Sequence, residues 1–480
     1  MQFEASNMIP VAPELFILTL ACLVLVVDLF LDDEQRIFTY ALTQLGLLFA
    51  IFLTLSVGQP EAQIVFDGSY IRDGMSDILK ISVYIVTMGA FVYAKEYLRE
   101  HGLFKGEYYV LGLFAVLGMM VMISSQSFLT AYLGLELLSL SLYALVAFDR
   151  DSKTGSEAAM KYFVLGAIAS GMLLYGISMI YGATGALNFE VVTVALAGTG
   201  MENTVLVFGL VFVVIGLAFK LGAVPFHMWM PDVYHGAPTP VAQFLGSAPK
   251  IAAFALAMRL LVDGMMPLHS DWQQMLIILA ILSMALGNVI AVAQTNIKRM
   301  LAYSTISHVG FIMMGILAGT AEGYSASMFY AIIYAITSLG GFGIIILLSR
   351  KGFEAENLED YKGLHERSPW FAAMMMLFMF SMAGVPPTVG FWAKLFVLDA
   401  VVSVELTWVA LVGVFFSIIG AFYYIRIIKL MYFDKPVVDA QPVLANFDTR
   451  LTLSVNGIMM LALGLFPAAL LAVCVNAIGS

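Results

Sequence analysis

Apolar runs of about 18 residues or more recur along this chain from one end to the other. Each run is long enough to cross the hydrocarbon of a bilayer as an α-helix, which makes all its backbone hydrogen bonds internally. The composition agrees, because 61% of the 480 residues are hydrophobic and 12% are charged, against about 25% charged in typical soluble domains. The sequence therefore predicts an all-α polytopic membrane protein.

Fourteen spans account best for these runs, and Lys and Arg then fall almost entirely on one side of the membrane. The positive-inside rule assigns that side to the cytoplasm and predicts that both termini lie outside it. The predicted spans are 11–31, 37–57, 76–95, 109–124, 127–148, 157–182, 204–227, 238–262, 273–293, 300–318, 325–349, 369–400, 404–430 and 449–475.

The stretch Phe219–Lys250 interrupts this apolar pattern with two lysines, two histidines and five prolines. Proline removes a backbone donor and clashes with the preceding turn, so a break is predicted around Gly222–Pro225 in helix 7. A second Gly-Val-Pro break lies within Met382–Lys394, in helix 12. Interrupted helices at corresponding positions in two halves indicate an inverted-repeat transporter and its site.

The helices 7 and 12 are five apart, and this odd offset makes the two copies run in opposite directions. We therefore predict two inverted five-helix repeats, formed by helices 4–8 and 9–13. The predicted domains are an N-terminal three-helix segment (1–104), the first repeat (105–262), the second repeat (263–435) and a C-terminal helix 14 (436–480).

Five lysines fall inside the predicted spans rather than in the loops: Lys80, Lys161, Lys220, Lys250 and Lys394. A charge within a span costs roughly 2.5–3.5 kcal/mol on insertion scales, so such residues indicate function. A lysine in a low-dielectric site loses affinity for its proton, and a nearby carboxylate restores that affinity. Glu136 lies in mid-span on helix 5 and is predicted to switch the proton affinity of Lys220 in this way.

Lys220, Lys250 and Lys394 are predicted to form a proton relay along the mid-plane. Structural ion pairs, or side chains that reach the membrane surface, are the alternative for each. For Lys80 one of these two alternatives is favoured over a relay role, and near a helix start its side chain can reach the surface. For Lys161 a relay role and these alternatives both remain open. His308 suits proton transfer by its near-neutral pKa, but a core histidine is equally compatible, and His227 could join the relay or bond freed backbone groups.

Other classes of site have no support in the sequence. Cys22 and Cys474 lie in separate apolar runs, so neither a disulfide nor a metal site is predicted. The chain has no P-loop and no haem motif, and no basic patch suggests nucleic acid as a partner. Redox chemistry is therefore expected on other chains.

Three motifs carry a resemblance to a known family: residues 219–241, Gln294–Gly310 and Gly384–Lys394. They resemble the proton-translocating, antiporter-like membrane subunits of respiratory complex I, an NADH–quinone oxidoreductase, and the likeness spans about residues 105–435. Gly134–Leu145 is similar to helix 5 of one subunit type, which carries a lysine at the position of Lys394.

The resemblance implies fourteen helices with two inverted repeats in a bacterial inner membrane. It implies a half-channel around Glu136, Lys161 and Lys220, with Lys250 at the centre and an exit by Lys394. It also implies that this chain binds no cofactor, and that NADH, FMN, iron–sulfur clusters and quinone belong to partner subunits. The expected partners are other membrane and peripheral subunits, including neighbouring antiporter-like ones, and the lipid bilayer.

Two alternatives remain for the function. A subunit of a multisubunit cation/proton antiporter shares the same helical repeats, and the chemistry of the lysines permits either. A passive membrane scaffold is the third reading, although the cost of the deep charges disfavours it.

Overall fold

The computed structural model describes residues 5–32, 34–58, 61–197, 204–436 and 443–479. The described residues form twenty α-helices. In chain order these are α1 (Ala12–Asp28), α2 (Ile37–Val57), α3 (Gly74–Glu100), α4 (Gly106–Ile123), α5 (Phe128–Val146), α6 (Lys153–Thr184), α7 (Phe189–Ala197), α8 (Thr204–Leu221), α9 (Trp229–Gly236), α10 (Thr239–Leu245), α11 (Ala248–Ala257), α12 (His269–Val292), α13 (Ile297–Leu317), α14 (Ala321–Leu348), α15 (Leu364–Arg367), α16 (Pro369–Ala383), α17 (Val389–Ser403), α18 (Thr407–Phe433), α19 (Phe447–Leu465) and α20 (Pro467–Ile478).

Short elements join these helices. Strands β1 (Gln63–Val65) and β2 (Tyr70–Arg72) pair as an antiparallel hairpin between α2 and α3. The remaining turns are three 3-10 helices and one π-helix, at Ala5–Met8, Met266–Leu268, Leu358–Tyr361 and Met258–Asp263 respectively. The sequence patterns did not predict the hairpin or α7.

The helical architecture confirms the predicted fold class. Within the described ranges, 11 helical stretches are long and apolar enough to cross a membrane, and one of them, Thr239–Asp263, joins α10, α11 and the π-helix. The number is 12 when α19 and α20 count as one bent span. The remaining apolar helices are shorter, with 17 residues in α1 and 15 each in α16 and α17. The number of fourteen spans, the two inverted repeats and the domain boundaries stay predictions.

The helices differ in how far their neighbours surround them. Helices α13 and α14 are buried along nearly their whole length, whereas α2, α6 and α18 expose rows of large apolar side chains. Apolar surface of this extent is costly in water but is solvated by lipid tails. The exposed faces of α2, α6 and α18 therefore suit contact with lipid or with neighbouring membrane chains.

Both predicted helix breaks are present and share one backbone geometry. Helix α8 ends at Leu221 and α16 ends at Ala383, and each is followed by a glycine with φ +84°. After Gly222, the Ala223 amide donates to the carbonyl of Ala218 at 2.8 Å, and after Gly384 the Val385 amide donates to the carbonyl of Phe380 at 2.9 Å. A left-handed residue with these bonds is a Schellman-type helix end, which glycine adopts without steric strain.

Two predicted spans contain a break that the sequence patterns did not predict. The span 238–262 is not continuous, because α10 ends before Gly246 and Ser247, and Pro249 then begins α11 without a backbone donor. The span 449–475 is two helices bent by 83°, with Pro467 as the first residue of α20. In both cases a proline removes the hydrogen bond that would have continued the preceding helix.

The basic side chains that the sequence assigns to one side of the membrane define what we call the basic face. Contacts join helix ends there: Arg36 donates to the Phe104 carbonyl at 3.1 Å, and Arg426 donates to the Val292 carbonyl at 3.0 Å. These contacts agree with the sorting of Lys and Arg predicted from the sequence. The basic face includes Arg36, Lys95, Lys153, Lys298, Arg299, Arg350, Arg426 and Lys429.

Candidate functional site

Lys220 lies in the last turn of α8, directly before the first break. Its Nζ donates to Ser139 Oγ on α5 at 2.8 Å. Ser139 is one helical turn beyond Glu136, so both side chains lie on the same side of α5. The Glu136 Oε1 atom is buried and has no hydrogen-bond partner among the described residues. The structure therefore brings Lys220 close to Glu136 through Ser139, and the two do not form an ion pair.

Lys250 lies in the first turn of α11, just beyond the unpredicted break, rather than in the middle of a continuous helix. Its side chain is 2% exposed, and its Nζ donates to the Leu221 carbonyl at 3.1 Å. That carbonyl is one of those left without a partner where α8 ends. Lys250 therefore stabilises the break itself and contacts the residue next to Lys220.

Lys394 makes a corresponding hydrogen bond at the second break. Its Nζ donates to the carbonyl of Ala383, the last residue of α16, at 2.9 Å, and to Ser417 Oγ of α18 at 2.8 Å. The side chain also lines a cavity of about 310 Å³ between α13, α17 and α18. Both breaks thus present a helix-end carbonyl to a lysine.

His308 is buried in α13 with a hydroxyl at each ring nitrogen. Its Nδ1 lies 2.7 Å from the Tyr330 hydroxyl and its Nε2 lies 3.0 Å from the Tyr424 hydroxyl. His308 and Lys394 line one small cavity of about 10 Å³, near the lower limit for a single water. Ser381 also lines this cavity, and its buried Oγ has no hydrogen-bond partner in the described part of the chain.

Hydroxyl groups lie between the helix of Lys250 and the helix of His308. The Tyr334 hydroxyl donates to Thr305 Oγ1 at 2.6 Å, three residues before His308. The Tyr234 hydroxyl and Ser338 Oγ lie beside Gly246, since a methyl group added there would come within 3.2 and 3.3 Å of them. These groups could carry hydrogen bonds across the bundle.

The other two predicted residues lie at the margins of this arrangement. Lys161 is 44% exposed on α6 and pairs with Asp232 of α9 at 2.8 Å and with Glu157 at 2.9 Å. Its position favours the ion-pair reading that the sequence left open. His227 is half-buried beside the first break, and its Nδ1 has no hydrogen-bond partner among the described residues.

The three lysines at the breaks share one property. Within the described ranges, no carboxylate oxygen lies within 4.0 Å of the Nζ of Lys220, Lys250 or Lys394. Instead, each ammonium group bonds a hydroxyl or a backbone carbonyl. None of the three therefore forms an ion pair with a described carboxylate in this structure.

Lys80 forms the structural ion pair that was one of the two alternatives favoured for it, and it does not extend to the membrane surface. Its side chain is 1% exposed and its Nζ lies 2.6 Å from the Glu14 carboxylate of α1 and 2.9 Å from the Tyr70 hydroxyl. The partner lies in another helix, which the local sequence around Lys80 does not reveal. Lys80 and Glu14 form a buried structural ion pair that joins α1 to α3.

We expect Lys80→Met to lower the thermal midpoint of the detergent-solubilised protein by several degrees, because Glu14 would remain buried without its counter-charge. Adding Glu14→Gln should restore most of the loss, since the second substitution removes the uncompensated charge. Thermal unfolding of the two variants and the wild type measures this. A double variant less stable than Lys80→Met would contradict the pairing.

The described residues contain no group of three or more His, Cys, Asp or Glu side chains arranged to hold a metal ion. The polar side chains at the two breaks are lysines, hydroxyls and one histidine. Such groups can accept, hold and pass protons.

Comparisons with known proteins identify the family of the chain. Residues 125–420 match the family model described as "NADH:quinone oxidoreductase/Mrp antiporter, TM". Over 480 residues, all of both chains, the protein is 62% identical to a protein of Thioalkalivibrio sulfidiphilus named NADH-quinone oxidoreductase subunit N. A protein of the same name from Thiobacillus denitrificans is 55% identical over 480 residues, which is 100% of this chain and 99% of the relative.

A solved structure shares the fold. A chain of respiratory complex I from Thermus thermophilus, solved with bound aureothin, superposes with a TM-score of 0.82 at 30% identity. The match covers 96% of this chain and 98% of that one.

Proposed function

The chain belongs to the NADH:quinone oxidoreductase/Mrp antiporter family of transmembrane subunits, and we propose that it pumps protons through Glu136, Lys220, Lys250, His308 and Lys394 as a membrane subunit of an NADH–quinone oxidoreductase. The observation that carries this proposal is the set of three lysines at helix breaks without a carboxylate within 4.0 Å. An ammonium group held in this way has no fixed counter-charge, so it can release and regain a proton without breaking an ion pair.

Glu136 and Lys220 form the switched step of the relay. In this conformation Lys220 bonds the neutral Ser139 hydroxyl, and Glu136 lies one turn away. A movement that brings the carboxylate within about 4–6 Å would favour the protonated lysine, and its withdrawal would favour release of the proton. The hydroxyl of Ser139 offers the ammonium group an alternative partner between these two states.

Lys250 receives the proton and passes it towards the second break. Its contact with the Leu221 carbonyl places it beside the residue that follows Lys220. From there, the hydroxyls of Tyr234, Ser338 and Tyr334 lead towards Thr305 and His308. Exposed backbone at a helix break also leaves room for water in a membrane protein, and water can bridge the intervals between these groups.

Lys394 completes the relay as the exit group. It shares the small cavity with His308 on one side and lines the larger cavity on the other. Lys161 and His227 belong to the uptake side of the relay. Lys161 tunes the electrostatics through Asp232, and His227 borders the first break.

The redox chemistry that drives this relay belongs to partner subunits, which bind NADH, FMN, iron–sulfur clusters and quinone. This chain contributes no redox site of its own and lies beside neighbouring antiporter-like subunits in the membrane. The complex resides in the bacterial inner membrane. The basic face lies in the cytoplasm and both termini are periplasmic, according to the positive-inside rule.

Purification of the intact complex tests this assignment against a cation/proton antiporter. We expect this chain to copurify with peripheral redox subunits and the complex to catalyse NADH-driven quinone reduction coupled to proton uptake. Sodium-for-proton exchange in vesicles without NADH, together with the absence of redox partners, would favour the antiporter instead.

A further inference from the structure

Lys298 heads a second cluster of titratable side chains, which lies apart from the relay at the basic face. The sequence placed this residue in a loop, but it is 3% exposed in the first turn of α13. Its Nζ donates to the Ala237 carbonyl at 3.2 Å and lies 4.0 Å from the Glu356 carboxylate. The segment after α14 covers it, because the Ile297 amide donates to the Glu356 carbonyl at 2.7 Å.

Two carboxylates connect Lys298 to the surface. Glu354 accepts a hydrogen bond from Thr239 Oγ1 at 3.0 Å and another from the Tyr97 hydroxyl, and it lies 3.2 Å from His101 Nε2. Glu356 lies 3.6 Å from Nε2 of His235. Both glutamates and His235 are partly exposed, whereas Lys298 is buried. The cluster therefore extends from partly exposed side chains to the buried ammonium group of Lys298.

The protonation states within the cluster depend on one another. Contact with the Glu354 carboxylate raises the pKa of the His101 imidazole above its usual value. Burial opposes ionisation of Glu354, but hydrogen bonds from His101 and Tyr97 outweigh it and lower the pKa of this carboxyl. Hydrogen bonding to His235 likewise lowers the pKa of Glu356. The outer groups therefore offer a protonatable histidine beside each carboxylate.

Polar groups continue inward from Lys298 along α13. Thr305 lies seven residues further, about 10 Å along the helix axis, and accepts a hydrogen bond from Tyr334. The Tyr234 hydroxyl lies beside Thr305, is buried and has no hydrogen-bond partner within the described ranges. His308 follows one turn after Thr305 and shares its cavity with Lys394.

We propose that Lys298 takes protons from the Glu354 and Glu356 cluster and reloads His308, and through it Lys394, along α13. This inference rests on the proposed function. Each transfer moves one proton: Lys298 gives its proton inward by way of Tyr234 and Thr305, and the neutral amine then takes another from the outer cluster. The second half of the relay would thus be supplied from the basic face, while Lys220 provides the switched charge.

Two substitutions at one position test the proposal in the assembled complex. Lys298→Met removes the proton carrier, and Lys298→Arg keeps the positive charge beside Glu356 but holds its proton permanently. We expect both variants to pump protons at roughly half the wild-type rate or less, since the reloading step is lost. NADH-driven acidification of proteoliposomes, normalised to the amount of assembled complex, measures this rate. Lys351→Met, an exposed lysine on the same face, should pump like the wild type.

A merely structural lysine gives a different pattern. Wild-type pumping by Lys298→Arg would overturn the proposal, and this variant alone decides if Lys298→Met fails to assemble. Lys220→Met separates the proposal from the proposed function. If Lys220→Met loses pumping while both Lys298 variants keep it, only the reloading role is wrong, and if all three keep it, the relay itself is wrong.

Discussion

Replacing Lys220 with methionine is expected to lower NADH-driven proton pumping at least about tenfold, a change equivalent to about 1.4 kcal/mol on the barrier. The ammonium group of Lys220 bonds Ser139 rather than a carboxylate. Ser139 lies on α5, the helix that also carries Glu136. Without Lys220, the switched step has no proton to hold. Dye-monitored acidification of inverted membrane vesicles measures the pumping rate.

The fold should tolerate this substitution. Methionine is similar in length to lysine, and removing an unpaired ammonium group from the interior removes a desolvation cost rather than a stabilising pair. Lys153→Met is the matched control, because Lys153 is exposed at the start of α6. Pumping by Lys220→Met at the rate of this control would show that Lys220 carries no proton and would favour a scaffold role.

A loss of similar size, at least about tenfold, is expected for Lys394→Met. Lys394 borders the cavity of His308 on one side and the larger cavity on the other, so protons that reach His308 would have no exit group. The same vesicle assay reports the loss. Ser417→Ala should have a smaller effect, because Lys394 keeps the Ala383 carbonyl as a hydrogen-bond partner.

The control for this second variant is Lys429→Met, which removes an exposed lysine of α18. It should assemble and pump like the wild type. If Lys394→Met also pumps normally, the exit must lie elsewhere, and the bond from Lys394 to the end of α16 would be structural.

The sequence predicted the features that depend on local chemistry. Both breaks follow from Gly222 and Gly384 with the prolines after them, and the unpaired lysines follow from charge inside long apolar runs. These signals lie within a few residues of the feature they predict. The all-α membrane fold has the same local origin, because helix formation is the means by which an apolar run satisfies its own backbone.

The errors concern contacts between distant segments. The sequence does not decide between an ion pair and the surface for Lys80, because its partner Glu14 lies in another helix. Lys298 was expected in a loop because burial comes from the segment that folds back after α14. The break before Lys250 is a different, local error: the apolar run 238–262 is long enough for one span and masks the interruption at Ser247 and Pro249.

Whether Lys250 carries a proton or only bonds the Leu221 carbonyl decides the central claim most directly. Arginine at this position can still donate to that carbonyl, but its guanidinium does not release a proton. We expect purified complex with Lys250→Arg, reconstituted into proteoliposomes, to lose NADH-driven proton uptake although it assembles. Proton uptake at the wild-type rate would contradict the relay.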